Sequence, residues 1–316
     1  MGGGAAIYIS QYTDPYLNLG FEEYLCQSCT GEFIMFLWQN SHTVVIGRNQ
    51  NAWRECKVSE LLRSQGKLAR RGTGGGAVYH DLGNLNFSFI TRMKVPNKEQ
   101  GYEVIQRAVG SLGIRCELTG RNDLTVLDGR KFSGNAFRYE NGVFLHHGTL
   151  LISSDLSNMS RYLNPSFEKI ESKGVKSTSA RVINLSELKS DLSVDSMKEA
   201  LINSVSELVG KPRICYSEAN EASDAFTRKY ASDEWIYGTR FKSDVTLRRR
   251  FDWGEIELLL CIQNGRVISA KVYSDALDIW LPRRLEEAIT GEMFSPGNLS
   301  RRTVSLGGEH GSDISD

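Results

Sequence analysis

The stretch that decides the fold is residues 70–84, which read RRGTGGGAVYHDLGN. The three consecutive glycines at 74–76 let a backbone approach a ligand closely and present its N–H groups to phosphate oxygens. Arg70 and Arg71 add permanent positive charge in a planar fork that suits phosphates. Taken alone, three glycines are equally typical of a ligand-binding loop and of a flexible surface turn beside a solvated arginine pair. The whole run predicts an anion-binding loop.

This loop differs from the two common nucleotide-binding motifs. Residues 72–77 contain a formal G-x-G-x-x-A match to the dinucleotide fingerprint, but a true fingerprint opens a helix after a strand. Residues 78–84 are β-like and then turn-like, and the Gly-Lys-Ser/Thr ending of a phosphate loop is missing. The sequence therefore argues against both common nucleotide-binding folds.

Hydrophobic periodicity predicts alternating helices and strands around this loop. Asp14-Pro15 is typical of a helix N-terminus, and a strand with one buried and one polar face is predicted where Leu85, Phe87 and Phe89 alternate with Asn86 and Ser88. The other predicted elements are strands over 33–38 and 43–46, helices over 102–112 and 197–208, and a hairpin of 256–262 with 267–273 followed by a helix over 282–289.

Composition narrows the class of protein. The 316 residues contain 38 Lys+Arg and 38 Asp+Glu, so no overall field selects nucleic acid or an anionic membrane. No apolar run approaches the ~20 residues that span a bilayer, and the first residues show no targeting pattern. Six cysteines lack the dense spacing of a secreted scaffold, and Cys26-x-x-Cys29 has no second pair for zinc. The sequence predicts an intracellular protein.

At residues 70–84 the chain resembles the A-type lipoate–protein ligases, which carry Arg-Arg-x-Ser/Thr-Gly-Gly-Gly-Ala-Val-aromatic-His-Asp-x-Gly-Asn. The resemblance extends over roughly residues 7 to 295. Further matches follow in the same order: Trp38 with TVVIGR at 43–48, GRNDL at 120–124, KFSG at 131–134, HHGTLL at 146–151, YLNP at 162–165, KGV at 173–175 and RVINL at 181–185.

The resemblance implies an α+β (mixed) fold. Residues 1–246 would form a catalytic domain like those of class II aminoacyl-tRNA synthetases and biotin ligases. Residues 247–299 would form a small C-terminal α/β accessory domain, shortened relative to the family. The polar, Gly/Ser-rich composition after Leu299 predicts that residues 300–316 are a disordered tail.

The resemblance also implies a two-step activity. ATP with Mg²⁺ would activate lipoate to lipoyl-AMP, and the lipoyl group would move to a lysine of apo lipoyl domains of 2-oxoacid dehydrogenase complexes or of the glycine-cleavage carrier protein. We expect a monomer, in the cytoplasm or mitochondrial matrix, that binds neither nucleic acid nor membrane. The alternatives are a lipoyltransferase that uses pre-made lipoyl-AMP and a non-catalytic lipoyl-domain-binding protein.

Residue roles follow from the resemblance position by position. Lys131 would be catalytic, because adenylation brings a carboxylate against a phosphate and a fixed cation offsets their repulsion. Arg181 would belong to the loop that closes over the adenylate. ATP would be bound by Arg71, Gly76, Ala77, Val78, Tyr79 and Lys131, and lipoate by Lys131, Arg71, Gly74, Gly75, His80, Gly134, His147 and Gly148.

Asn122 and Asp123 have two readings of equal weight. Short oxygen ligands suit Mg²⁺, and the same residues cap turns. His146 and His147 are neighbours on a predicted strand and therefore point to opposite faces, so they do not chelate one ion together.

Overall fold

The computed structural model describes residues 4–120, 122–164, 181–217, 221–304 and 314. In chain order the strands are β1 (Ala5–Ile9), β2 (Phe33–Trp38), β3 (Thr43–Ile46), β4 (Lys67–Arg70), β5 (Val78–His80), β6 (Asn84–Arg92), β7 (Cys116–Thr119), β8 (Asp123–Val126), β9 (Lys131–Glu140), β10 (Val143–Leu151), β11 (Arg213–Tyr216), β12 (Val245–Phe251), β13 (Gly254–Gln263) and β14 (Arg266–Ser274). The helices are α1 (Pro15–Ser28), α2 (Ala52–Glu55), α3 (Val58–Arg63), α4 (Glu99–Ser111), α5 (Leu156–Tyr162), α6 (Val194–Val209), α7 (Glu221–Ala231), α8 (Asp233–Tyr237), α9 (Leu281–Ile289) and α10 (Pro296–Val304).

A mixed eight-stranded sheet organises the larger part of the chain. Its strand order is β11-β1-β2-β6-β10-β9-β8-β7, in which β11, β1 and β2 run parallel and the remaining pairs are antiparallel. Helices α4 and α6 contribute to the core on one face, and α1 covers the other. The predicted α+β class is confirmed.

Strand β6 departs from its predicted environment. Leu85, Phe87 and Phe89 enter the core under α4 and α6, as their alternation predicts. The polar residues between them are also buried, because Asn86 is 1% and Ser88 0% exposed on the face that α1 covers. The polar face of this strand is therefore interior, where each polar group needs a partner.

A second, three-stranded sheet carries the glycine loop. Strand β3 pairs in parallel with β4 and antiparallel with β5. Strand β4 ends at Arg70 and β5 begins at Val78, so the loop joins two strands of one sheet. No helix follows the loop, as residues 78–84 predict.

The helix predictions are confirmed, with shifted ends. The Asp14 side chain accepts from the backbone N–H groups of Tyr16 and Leu17 at the start of α1. Helix α4 begins at Glu99, three residues before the apolar pattern that predicts it. None of the described helices is long and apolar enough to cross a membrane. Cys26 and Cys29 are free and buried.

The C-terminal unit is a three-stranded antiparallel sheet, β12-β13-β14, with α9 packed against it. Its first strand begins at Val245, so the predicted boundary between residues 246 and 247 falls inside β12. Helix α10 continues through Val304, so residues 300–304 are helical and were wrongly assigned to a tail. The rest of the predicted tail, apart from residue 314, lies outside the described residues.

Close packing of α1 against α7 depends on Gly20. A Cβ at this position would lie 2.4 Å from Oγ1 of Thr227 and 2.7 Å from its backbone nitrogen. Backbone atoms cannot rotate away, so any side chain here would push the two helices apart. By contrast, a Cβ at Gly110 in α4 would meet no atom within 4 Å.

We therefore expect Gly20→Ala to lower the free energy of unfolding by about 2 kcal/mol, the usual cost of an overpacked contact. Gly110→Ala is the matched control and should raise it by up to ~1 kcal/mol, because alanine favours a helix more than glycine does. Urea denaturation measures both. Equal stability of Gly20→Ala and the parent would contradict the close contact.

Candidate active site

A cavity of about 1420 Å³ lies where the eight-stranded sheet, the sheet of β3, β4 and β5, helix α1 and the C-terminal unit meet. Its apolar wall includes Leu19, Trp38 and Val45. The structure brings almost all of the predicted site residues to this cavity: Arg71, Gly75, Gly76, Ala77, Val78, Tyr79, His80, Asn122, Asp123, Lys131, Gly134, His147, Gly148 and Arg181. Gly74 is absent from its lining and packs instead against the backbone of Ala276 and Leu277.

Arg71 lies beneath the glycine loop and is only 7% exposed. Its NH2 nitrogen donates to the carbonyl oxygens of Gly74 at 2.6 Å and Gly76 at 2.8 Å, and its Nε donates to Thr73 Oγ1 at 3.1 Å. Burial lowers the pKa of Arg71 to about 10, so the group remains charged at neutral pH. The guanidinium thus draws the loop carbonyls inward and holds the shape of the loop.

The position of Arg70 beside Arg71 suggests that it adds charge to the cavity, but its side chain does not line the cavity. Its nitrogens donate to the carbonyl oxygens of Gln50 at 2.6 Å, Trp235 at 2.8 Å and Ile236 at 2.6 Å. These acceptors lie in two segments that are far apart in sequence. Arg70 is therefore a buried cross-link between β4, the loop after β3 and helix α8.

The three glycines of the loop have different surroundings. Gly75 has φ of +89°, and its N–H donates to the carbonyl of Ala276 at 3.1 Å. A Cβ on Gly76 would meet no atom within 4 Å, and Gly76 is exposed to the cavity. Gly76 is therefore the glycine that leaves room for a ligand.

Lys131 is the first residue of β9, and it lines the cavity. Its Nζ lies 2.7 Å from Asp123 Oδ1, and both side chains are 37% exposed. A Cβ on Gly134 would lie 3.0 Å from Lys131 Nζ, so the glycine makes room for the lysine side chain. Gly148 has a packing role, because a Cβ there would lie 2.6 Å from the Phe87 ring.

Asn122 and Asp123 have different contacts. The side-chain amide of Asn122 donates to the carbonyl of Asn135, and its backbone carbonyl accepts from Asn135 N at 3.0 Å. This favours the structural reading for Asn122, whereas Asp123 presents its carboxylate to the cavity. No group of three His, Cys, Asp or Glu side chains suited to a metal ion occurs among the described residues.

The two histidines of β10 face opposite sides, as predicted. His146 lies among aromatic rings, with its ring centroid 4.7 Å from Phe137 and 4.9 Å from Tyr102. His147 lines the cavity and contacts Thr73 and Glu22. His80 is also buried, and burial lowers its pKa to about 3, so it is neutral.

Arg181 follows residues 165–180, which lie outside the described part of the chain. The segment that follows Arg181 is hydrogen-bonded to the first residue of β9. Ile183 N donates to the carbonyl of Lys131 at 2.9 Å, and Val182 bridges to Lys131. Arg181 is thereby held at the edge of the cavity beside Lys131.

Sequence reasoning missed the contribution of the C-terminal unit. Besides the Gly75 to Ala276 bond, Ser274 N donates to Asn49 O at 2.9 Å. The guanidinium of Arg54 on α2 forms ion pairs with Glu255 and Glu257 of β13. The C-terminal unit therefore closes one side of the cavity directly over the glycine loop.

Glu22 and Thr73 were also missed. Glu22 is 2% exposed, and burial by itself would raise its pKa, but the charge and hydrogen bond of His147 outweigh this and hold the pKa below its usual value. The sequence gives one signal for this residue: Glu22 follows the apolar Phe21 on the predicted helix. A charged residue at such a position is either exposed to solvent or paired with another group in the interior.

Comparison with known proteins agrees with this geometry. Residues 14–206 match the model of the lipoyl protein ligase A/B catalytic domain, and residues 240–306 match that of the bacterial lipoate protein ligase C-terminus. A lipoate-protein ligase A from Blochmanniella floridana is 38% identical over 285 residues, which cover 87% of this chain and 83% of that protein.

Two solved structures extend the likeness to three dimensions. P. falciparum LipL1 in complex with lipoate has a TM-score of 0.87 at 29% identity, covering 99% of this chain and 98% of that chain. A lipoate-protein ligase A bound with ATP has a TM-score of 0.62 at 27% identity, covering 75% of this chain and 99% of that one. Because the catalytic-domain model matches more than half of the residues, the chain belongs to the family of lipoate–protein ligases.

Proposed function

We propose that this ligase activates lipoate with ATP in its cavity and transfers the lipoyl group to a lysine of an apo lipoyl domain. The observation that carries the proposal is the placement of Lys131 and the glycine loop on one cavity that also has an apolar wall. Lipoate has an apolar chain and an anionic head, and ATP is a polyanion. A cavity with an apolar wall, a fixed cation and an open glycine backbone suits both.

The first step joins two anions. A carboxylate oxygen of lipoate attacks the α-phosphorus of ATP, forming an acyl–phosphate bond and releasing pyrophosphate. Lys131 would lie between the two groups and offset their repulsion as charge builds in the transition state. Its partner Asp123 holds the ammonium at the cavity, with Nζ to Oδ1 at 2.7 Å.

The second step consumes the adenylate. The amine of the acceptor lysine attacks the acyl carbon, an amide forms, AMP leaves, and the amine loses a proton. Apo lipoyl domains of 2-oxoacid dehydrogenase complexes and the glycine-cleavage carrier protein are the acceptors that we infer. The exposed side of Lys131 offers the route of approach, because that side chain is 37% open to solvent.

Mg²⁺ would accompany ATP. This ion is usually held by one or two carboxylates, with substrate phosphates and water completing its shell. Asp123 fits such a set, since its carboxylate faces the cavity and its present partner is an exchangeable ammonium group. When bound, the ion supplies charge neutralisation to the phosphates. The monomeric state and the cytoplasmic or mitochondrial location stay predictions.

The primary test compares two routes in one preparation. Pyrophosphate exchange with lipoate measures adenylation, and lipoylation of one apo lipoyl domain is followed from lipoate with MgATP or from supplied lipoyl-AMP. We expect both routes to work, with the lipoyl-AMP route at least as fast, because adenylation also requires closure that excludes water from a reactive anhydride. Transfer from lipoyl-AMP without any pyrophosphate exchange would identify a transferase instead. Binding of the acceptor without transfer would identify a binding protein.

Lys131→Ala should lower the rate of pyrophosphate exchange roughly 10²–10³-fold, because loss of one such preorganised charge costs ~3–4 kcal/mol. The matched control is Arg107→Ala on α4, whose NH2 nitrogen pairs with Glu103 Oε1 at 2.8 Å on the surface, away from the cavity lining. Exposed pairs contribute about 0–1 kcal/mol, so the control should fold and retain its rate. A near-parental rate for Lys131→Ala would remove the assigned role.

Gly76→Val should raise the KM for ATP and for lipoate at least tenfold, or about 1.4 kcal/mol, without lowering Tm, because its side chain would enter open cavity space. Gly75→Val is the contrasting variant. At φ of +89° and with Arg71 NH2 2.9 Å from the added Cβ, it should lose stability as well. An unchanged KM for both substrates in Gly76→Val would show that the ligands lie away from the loop.

A further inference from the structure

Glu22 lies at the meeting point of two buried hydrogen-bond chains. Its Oε1 accepts from Ser88 Oγ at 2.5 Å and from His147 Nδ1 at 2.8 Å. All three residues are at most 5% exposed. Helix α1 therefore brings a carboxylate into the sheet face that forms the inner side of the cavity.

The first chain begins at the apolar wall of the cavity. The indole Nε1 of Trp38 can only donate, and it donates to Ser88 Oγ at 3.0 Å. The hydroxyl hydrogen of Ser88 is then free to point to Glu22, the acceptor on its other side. This chain fixes the plane of the Trp38 ring through Ser88.

The second chain begins at the glycine loop. The guanidinium of Arg71 can only donate, and its Nε donates to Thr73 Oγ1 at 3.1 Å. The Thr73 hydroxyl oxygen lies 2.7 Å from His147 Nε2, and His147 Nδ1–H donates to Glu22 at 2.8 Å. The carboxylate of Glu22 thus fixes a hydrogen on Nδ1 of His147.

Both chains start at groups that only donate and end at one group that only accepts. Trp38 and Arg71 carry no acceptor, so each can only donate into its chain. An ionised carboxylate at residue 22 is the group that satisfies both. Hydrogen bonds to an ionised acceptor are shorter and about twice as strong as neutral ones.

We infer that Glu22 is a positioning residue that orients the acyl-chain wall through Ser88 and Trp38 and the nucleotide loop through His147 and Thr73. The inference rests on the proposed function, in which the apolar wall receives the lipoate chain and the loop receives ATP. Glu22 reaches the substrates only through these side chains. Its loss should therefore loosen both binding sites, whereas cutting one chain should loosen one.

The test is steady-state pyrophosphate exchange with lipoate and ATP varied in turn. Ser88→Ala cuts the chain to Trp38 and should raise the KM for lipoate about tenfold while the KM for ATP stays within about twofold. Thr73→Val removes the hydroxyl at constant shape and should do the reverse. Thr73→Ser keeps the hydroxyl and is the matched control, with both KM values near those of the parent.

Glu22→Gln should raise both KM values about tenfold, because the two chains then end on an uncharged amide oxygen, a weaker acceptor than a carboxylate. A role confined to stability would lower Tm and the fraction of active enzyme and leave both KM values unchanged, which would overturn the inference. It would also be overturned if Ser88→Ala and Thr73→Val each changed both substrates equally. If Glu22→Gln does not fold, the double variant Ser88→Ala/Thr73→Val decides, with each KM expected to match its single variant.

Failure of the proposed function has a different signature. A parent enzyme without lipoate-dependent pyrophosphate exchange would overturn the proposed function. An active parent whose variants show no separation of the two KM values would overturn only the role of Glu22.

Discussion

The rest of the site depends on the burial of one guanidinium, that of Arg71. A buried charge must be hydrogen-bonded, and the glycine loop supplies the acceptors through the carbonyls of Gly74 and Gly76 and the hydroxyl of Thr73. Carbonyls that point inward to Arg71 leave the other face of the loop to the cavity. The loop is thus shaped from below by a cation before any ligand arrives. Glycine-rich sequence provides the required backbone freedom, and the arginine selects one conformation.

The loop is also held from above. Gly75, whose N–H would be a natural phosphate donor, donates to Ala276 of the C-terminal unit, and Arg54 links α2 to β13 through Glu255. A small unit with its own modest core thereby gains stability from polar contacts with the larger part of the chain. Because these contacts use loop backbone and cavity residues, ligand binding and attachment of this unit are physically linked.

Much of this arrangement was predictable, because it depends on local pattern. The glycine loop between two strands, the N-cap at Asp14 and the opposite facing of His146 and His147 all follow from periodicity and turn chemistry. The role of Arg70 and the burial of Glu22 do not. An arginine beside a phosphate-type loop has the same local sequence whether it faces a ligand or distant carbonyls such as that of Trp235. Contacts between residues that are far apart in sequence decide such cases.

Charges in the cavity divide into two kinds that suit different tasks. Arg71 and Glu22 are buried and linked through His147 and Thr73, so moving either would leave a desolvated charge without its partner, which costs several kcal/mol. Lys131 and Asp123 are each 37% exposed, and pairs of that kind contribute only about 0–1 kcal/mol. For adenylation, the cation must release the carboxylate of Asp123. It must then bind the carboxylate of lipoate and the phosphate of ATP. In the proposed reaction, the weak, exposed pair would allow that exchange, and the strong, buried network would keep the surrounding geometry fixed while it happens.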